Sequence, residues 1–251
     1  MPTLPAVRRS AVCALCFLAA AAARAQSPPP DPLGPAREAA RAGRLDDAVA
    51  ALMKAAEKGF FGLAALENDP ELAAVRAHPR FTEVRQAVDR NLRPCVYQPE
   101  YRALDFWLGD WDVRPRGAPE SAPASRSRIE LIEDQCVVYE SYTNPAGYSG
   151  RSFNAFQPDT KRWEQFWVDN KGARHHYVGQ ARDGNVYYEA EGVRAGGPSS
   201  PPGKARMTFF NQGKDEVRQL GEQSTDGGKT WSVTYDLVYR RRPASAGSGR
   251  P

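Results

Sequence analysis

The sequence predicts a mainly β protein: a roughly ten-stranded antiparallel up-and-down barrel preceded by a small α-helical segment. Three observations point there. Residues 104–113 read Leu-Asp-Phe-Trp-Leu-Gly-Asp-Trp-Asp-Val, an apolar opening for a first strand. Residues 224–231 read Ser-Thr-Asp-Gly-Gly-Lys-Thr-Trp, a tight hairpin before a last strand. Between them, short runs rich in Tyr, Trp, Phe and Val alternate with turn residues, the pattern of consecutive hairpins.

The expected strands are 106–113, 126–133, 136–143, 150–157, 162–169, 173–181, 185–192, 204–211, 215–224 and 230–241. Their connections carry Glu133-Asp134, Pro158-Asp159-Thr160-Lys161, Asp169-Asn170-Lys171-Gly172, Asp183-Gly184-Asn185 and Asn211-Gln212-Gly213-Lys214. Residues 114–125 and 193–203 are longer Pro/Gly/Ser/Ala-rich loops, and residues 242–251 read as a disordered tail. Closing sequential strands into a barrel removes exposed edges. Spacing alone also allows a sandwich. A barrel of this strand number can enclose more space than its side chains fill.

Ahead of the barrel the reading changes. Arg8-Arg9, an apolar run Ala11–Ala22 and Ala23-Arg-Ala25 form the three parts of a secretory signal peptide, residues 1–25, with cleavage after Ala25. The expected location is therefore the periplasm or the cell exterior, and no later segment is long and apolar enough to predict a membrane span. The net charge of +4 overstates the mature chain: residues 1–25 hold three Arg and no acid, so 34 basic residues less 3 leave 31 against 30 acidic. With no basic stripe, nucleic acid is not an expected partner. Cys13-Ala-Leu-Cys16 has redox spacing but sits inside the signal segment. Cys95 and Cys136 remain, and an even pair in an oxidising compartment is expected to bridge.

Residues 26–34 form a Pro-rich linker. Residues 35–92 carry helical signals: Ala36–Ala42 and Leu45–Lys58 joined at Gly43, with Ala48, Leu52, Ala55 and Ala56 at helical spacing and Gly59 as a stop. After the apolar stretch Phe60–Leu66, Asn68-Asp69-Pro70 starts a third helix through Val75. Pro79 opens a fourth, with Phe81, Val84, Val88 and Leu92 on one face. The wording Gly43-Arg-Leu-Asp-Asp-Ala-Val-Ala, Ala56-Glu-Lys-Gly-Phe60 and Asp69-Pro-Glu-Leu-Ala-Ala-Val-Arg-Ala-His-Pro-Arg-Phe81 resembles the terminal unit of tetratricopeptide-repeat proteins. One repeat lacks the stacked neighbours that build a peptide groove, so the expectation is a small helical cap packed on the barrel or on itself, with a protein partner bound through residues 35–91 as the alternative.

Several segments imitate known motifs without completing them. Ser224-x-Asp226-x-Gly228-x-x-Trp231 has the spacing of the Asp-box of sialidases, but it occurs once and without their clustered arginines; it reads as a turn device, with Trp231 pinning the hairpin into the core. Gly228-Lys229-Thr230 imitates the end of a P-loop, yet Gln223 stands where Gly is required and a strand follows. His78, His175 and His176 have no zinc spacing, so no metal is expected. No nucleophile elbow or dinucleotide fingerprint appears, and no cofactor is expected.

The positive signal is strand parity. Ser152 and Asn154 share one face of their strand; Trp163, Gln165, Trp167 and Asp169 share a face of the next; Glu140 and Tyr142 share a third. Gln219 points opposite to Glu222. Joined, such faces make an aromatic wall with a few polar groups, which is what a small-molecule site requires. The alternative is that the tryptophans are core and the polar groups face water.

From Pro99 to Arg241 the chain resembles a family of uncharacterised bacterial secreted proteins with a lipocalin-like, calycin barrel akin to that of fatty-acid-binding proteins. The matching phrases are Pro99–Val113, Gln135-Cys-Val-Val-Tyr-Glu140, Gly150-x-Ser152-x-Asn154, Trp163-x-Gln165-x-Trp167-Val-Asp169, Val217-Arg-Gln219 and Ser224–Trp231. The resemblance implies the calycin-like fold and brings no substrate or catalytic residue. The resulting expectation is an exported, non-enzymatic binding protein for a small, partly apolar molecule. Trp163, Trp167 and Tyr142 would give contact area, and Glu140, Ser152, Asn154 and Gln165 would orient the ligand. Alternatives are an enzyme titrating through Glu140 or Glu222, or an interaction module working through residues 35–91.

Overall fold

The computed structural model describes residues 31–193 and 203–243. The expected signal peptide, most of the Pro-rich linker, residues 194–202 of the long loop and the tail beyond 243 lie outside the described residues.

The sheet is a closed antiparallel barrel of ten strands. They are β1 (Gly109–Pro115), β2 (Ser125–Ile132), β3 (Val137–Thr143), β4 (Ser149–Gln157), β5 (Arg162–Asp169), β6 (Arg174–Arg182), β7 (Asn185–Val193), β8 (Gly203–Asn211), β9 (Glu216–Ser224) and β10 (Ser232–Arg241). Each pairs with its neighbours in sequence, and β1 closes on β10 with Trp111 opposite Arg241 and Val113 opposite Tyr239. The sandwich alternative is excluded.

Alternation along each strand sorts side chains to the two faces. On β9, Val217, Gln219, Gly221 and Gln223 point inward and are buried; Arg218 and Glu222 between them point out. Short turns keep the strands adjacent. Lys161 (φ 55°) and Asp183-Gly184 (φ 53° and 73°) take left-handed backbone in two of them, where Gly and short polar residues fit best.

One end of the barrel is plugged. The expected first strand from 106 begins instead at Gly109, because Asp105–Trp107 forms a 3₁₀ turn. Gly109 makes this possible: it takes φ 126°, and a Cβ there would lie 2.3 Å from the Arg241 guanidinium. The turn drives Leu104 and Trp107 into the barrel end, where Trp107 meets Phe209 with ring centroids 4.5 Å apart. Tyr101, from the preceding 3₁₀ turn Pro99–Arg102, packs edge-on against Phe156 at 5.2 Å. The last strand likewise starts later than 230, because Asp226 holds the Lys229 and Thr230 amides inside the turn.

The plug is tethered covalently. Cys95 and Cys136 are disulfide-bonded across 41 residues, with Cα atoms 5.0 Å apart. Arg102 adds a bond to the Gln135 carbonyl at 2.8 Å, on a turn where Glu133, Asp134 and Gln135 all carry positive φ.

The helical segment comprises α1 (Gly34–Arg41), α2 (Leu45–Glu57), α3 (Leu63–Asn68), α4 (Ala73–Arg76), α5 (Phe81–Leu92) and the short α6 (Pro94–Tyr97). Its apolar stripes form a core of their own around Val49, Leu52, Leu66, Leu72, Val84 and Val88, separate from the barrel core. The third helix expected through Val75 is divided into a 3₁₀ turn, Pro70–Leu72, and α4. Asp69 caps the 3₁₀ turn by accepting from the Glu71 amide and is paired with Arg37 at 2.6 Å. Leu92, expected on the buried face of α5, is 44% exposed, since the helix ends there before Pro94. No helix among the described residues is long and apolar enough to cross a membrane.

Replacing both bridging cysteines (Cys95→Ser with Cys136→Ser) is expected to cost up to about 4 kcal/mol through the freed loop. Urea unfolding with and without reductant checks this: reductant should lower the midpoint of the native protein and leave the double variant unchanged.

Candidate functional site

The inward residues of β3, β4 and β5 are aligned by register: Glu140 opposes Ser152, which opposes Trp167, and Asn154 opposes Gln165. Closure brings β8, β9 and β10 round to face them. The interior is layered. At the plugged end lies the apolar core with Trp107, Phe156, Trp163 and Phe209. Above it runs a belt of buried polar groups. Above the belt is a cavity of about 400 Å³, lined by Glu140, Tyr142, Gln165, Trp167, Tyr177, Met207, Gln219, Tyr235, Leu237 and Tyr239, with Asn144, Tyr148 and His175.

Glycines on neighbouring strands let aromatic rings lie flat along the cavity wall. A Cβ on Gly150 would sit 2.1 Å from the Trp167 ring, and one on Gly221 would sit 2.3 Å from the Tyr235 ring. Tyr142, Tyr148 and Trp167 form a cluster with centroids 6.3–6.4 Å apart, within the range of favourable ring contacts. Tyr142 is fixed by donating to Ser125 at 2.9 Å, and Tyr148 by donating to Asp169 at 2.9 Å. Asp169 also accepts from the Lys171 and Ala173 amides at the mouth; these bonds hold its carboxyl below the ordinary range despite partial burial.

The belt is a connected network. Ser127 donates to Glu140 Oε1 at 2.6 Å and Ser152 to Oε2 at 3.1 Å. Asn154 donates to Ser152 and to the Val138 carbonyl, both at 3.1 Å. The Asn154 Oδ1 accepts from Gln165 at 3.0 Å and from Tyr188 at 3.2 Å. Across the lumen, the Tyr239 hydroxyl lies 2.9 Å from Gln219 Oε1 and 3.3 Å from Glu140 Oε1, and Gln219 Nε2 reaches Met207 sulfur at 3.0 Å. Burial pushes the Glu140 carboxyl up to about 7, against the pull of its three hydroxyl donors.

Of the residues singled out in the sequence, Glu140, Tyr142, Gln165 and Trp167 come together on the cavity wall. Ser152 and Asn154 sit in the belt beneath and position the others. Trp163 is not on the wall. It is buried below the belt, 6.1 Å from Phe156, and belongs to the packed core. Glu222 is remote from the lumen: it points outward, receives both Arg206 nitrogens at 2.6 and 2.8 Å, and is held below its ordinary range by that pair. A group so paired is a poor proton donor near neutrality.

The Ser224–Trp231 turn is held as a turn device. Asp226 accepts from the Ser224 hydroxyl at 2.7 Å and from the Thr230 amide at 2.9 Å, while Gly228 takes φ 97°. Trp231, expected in the core, lies on the outer face instead, 4.3 Å beneath the Arg206 guanidinium. The sequence reading missed Tyr177, Tyr235 and Tyr239, the far wall of the cavity. Strand parity puts Tyr235, Leu237 and Tyr239 on one face of β10, and only closure of the barrel sets that face against Glu140.

Among the described residues no group of three or more His, Cys, Asp or Glu is placed to hold a metal ion. No protein-family model matches the chain, and no curated protein matches it significantly.

The shifted carboxyl makes a stability prediction. The fold holds the Glu140 proton more tightly than the unfolded chain, so stability falls as pH rises from about 4.5 towards about 7, then levels. The loss is on the order of 3 kcal/mol. Glu140→Gln keeps the shape without the charge. It should match the native protein at about pH 5 and exceed it above about pH 7 in urea unfolding; a variant weaker than the native protein at the higher pH would contradict the assignment.

Proposed function

We propose that this protein is an exported binding protein whose barrel takes a small, partly apolar molecule through the end opposite the plug. The observation that carries the reading is the cavity itself: about 400 Å³, walled by aromatic rings and floored by fixed polar groups. That combination of apolar area and a few oriented hydrogen-bonding groups is how small-molecule sites achieve both affinity and orientation. Tyr142, Trp167, Tyr177 and Tyr235 supply contact area, and Gln165, Gln219 and Glu140 supply orientation. Ser152 and Asn154 act from behind. The signal-peptide pattern and the Cys95–Cys136 bridge support export, because disulfides persist in oxidising compartments. The resemblance of residues 99–241 to secreted lipocalin-like proteins agrees with it.

A second reading, an acid–base enzyme, is favoured by one observation: a cavity-lining carboxyl brought to about 7. It would require turnover that follows this titration and disappears in Glu140→Gln.

The binding reading is tested with a neutral aromatic dye, N-phenylnaphthylamine. The native protein should take it up with a rise in dye fluorescence and quenching of Trp167. Leu237→Trp, which fills the cavity from β10, should weaken uptake about tenfold or more with an unchanged far-ultraviolet spectrum. Full uptake by the filled variant would place the dye elsewhere and remove the support.

A further inference from the structure

We propose that the cavity selects cations: its preferred occupant is an amine-bearing, otherwise apolar small molecule whose ammonium group rests against Glu140 and the surrounding ring faces. The inference rests on the reading of the cavity as a ligand site and names the class of ligand it takes.

The charge inventory is one-sided. Among the described residues that line the cavity there is no Lys or Arg, while Glu140 is the carboxylic acid at its floor. Glu140 is 2% exposed, and its protein contacts are the hydroxyls of Ser127, Ser152 and Tyr239, none of which carries a positive charge. Arg151, whose charge acts on Glu140, bonds the Tyr142 and Gly150 carbonyls instead of the carboxyl. Buried carboxylates are paired with a cation or become neutral. The protein supplies hydrogen bonds and leaves the counter-charge to the occupant.

The geometry leaves room for it. Glu140 Oε1 has two hydroxyl neighbours, whereas Oε2 has only Ser152. A carboxylate oxygen accepts two hydrogen bonds, so Oε2 keeps one acceptor site. The wall of the same cavity offers the rings of Tyr142, Trp167, Tyr177, Tyr235 and Tyr239. Ring faces attract ammonium groups, the more so where water is excluded. An anion would meet the same rings and carboxylate with repulsion.

A pH signature follows. The cation is bound by the ionised carboxylate, so binding releases a proton wherever the empty cavity holds Glu140 neutral. Besides Arg151 on β4, the ionisable groups around Glu140 are Tyr142 on its own strand and Tyr235 and Tyr239 on β10; burial raises all three tyrosines and keeps them neutral near pH 7. Tyr177 on β6 is raised in the same way. Tyr148 is raised by burial and by its bond to Asp169; His175 is the remaining ionisable side chain on the wall, and His175→Asn serves as its control.

The experiment is isothermal titration of the full chain with phenethylamine and with its neutral counterpart, phenethyl alcohol, alongside the neutral dye. At about pH 8 the amine should bind about tenfold tighter than the alcohol, and the advantage should shrink as pH falls below about 7. Titrations in buffers of different ionisation enthalpy should report proton release near neutrality. Glu140→Gln, in which the amide can still accept from Ser127, should lose the amine's advantage over the alcohol, and His175→Asn should keep that advantage. Equal or tighter binding of the alcohol to the native protein overturns the proposal, as does an amine advantage that survives Glu140→Gln. Binding of neither phenyl compound by protein that takes up the dye overturns cation selectivity alone. Failure of all three probes overturns the cavity as a ligand site.

Discussion

The closure of β1 on β10 is the constraint on which the rest depends, and it is concentrated at one side chain. Arg241, at the end of β10, lies 4.2 Å over the Trp111 ring of β1 and donates to the Leu108 carbonyl at 2.8 Å. It occupies the space that Gly109 leaves empty. One guanidinium therefore joins the last strand, the first strand and the 3₁₀ turn that plugs the barrel. Trp111 in turn donates its ring N–H to the Trp107 carbonyl at 2.8 Å, so the plug is fixed from within as well. Without this junction β1 and β10 would be two exposed edges and the interior would open to water.

A closed barrel need not be hollow, and here the hollow is maintained by hydrogen bonding. The belt residues Glu140, Ser152, Asn154, Gln165 and Gln219 are each satisfied by neighbours on adjacent strands or across the lumen. Moving one to fill the space above would leave a buried partner unsatisfied, at a cost of about 1–3 kcal/mol. The aromatic rings above are similarly committed. Trp167 and Tyr235 lie along the wall because Gly150 and Gly221 give them space there. Apolar packing below the belt and polar satisfaction within it thus set the depth of the cavity, and the rings set its shape.

This division explains what the sequence made legible. Strand number and strand faces were readable, because period-two alternation and turn residues are local signals. Depth was not. Trp163 and Trp167 share a face of β5, but four residues at about 3.3 Å each separate them by about 13 Å along the strand. That distance places one below the belt and the other above it. Parity says which way a side chain points and nothing of the layer it reaches. The far wall was hidden for a different reason: Tyr235 and Tyr239 meet Glu140 only when residues about 100 apart are brought together by closure, as in the Glu140–Tyr239 contact across 99 positions. The start of β1 was misread because an apolar run looks the same in a strand and in a 3₁₀ plug, and the deciding residue, Arg241, lies 132 positions after Gly109.

Proton accounting at the floor says which state the empty protein prefers. The Tyr239 hydroxyl has one hydrogen and two acceptors in reach, Gln219 Oε1 and Glu140 Oε1. If Glu140 is ionised and takes that hydrogen, Gln219 loses its donor. If Glu140 is neutral, its own proton can go to the Tyr239 oxygen, Tyr239 donates to Gln219, and Gln219 donates to Met207, so every group in the chain is served. Desolvation favours the neutral acid in the absence of a cation, and it outweighs the opposing pull of the Ser127, Ser152 and Tyr239 hydroxyls. The same three residues can reverse by rotating one hydroxyl, with no movement of heavy atoms. A buried acid of this kind costs stability as soon as it ionises.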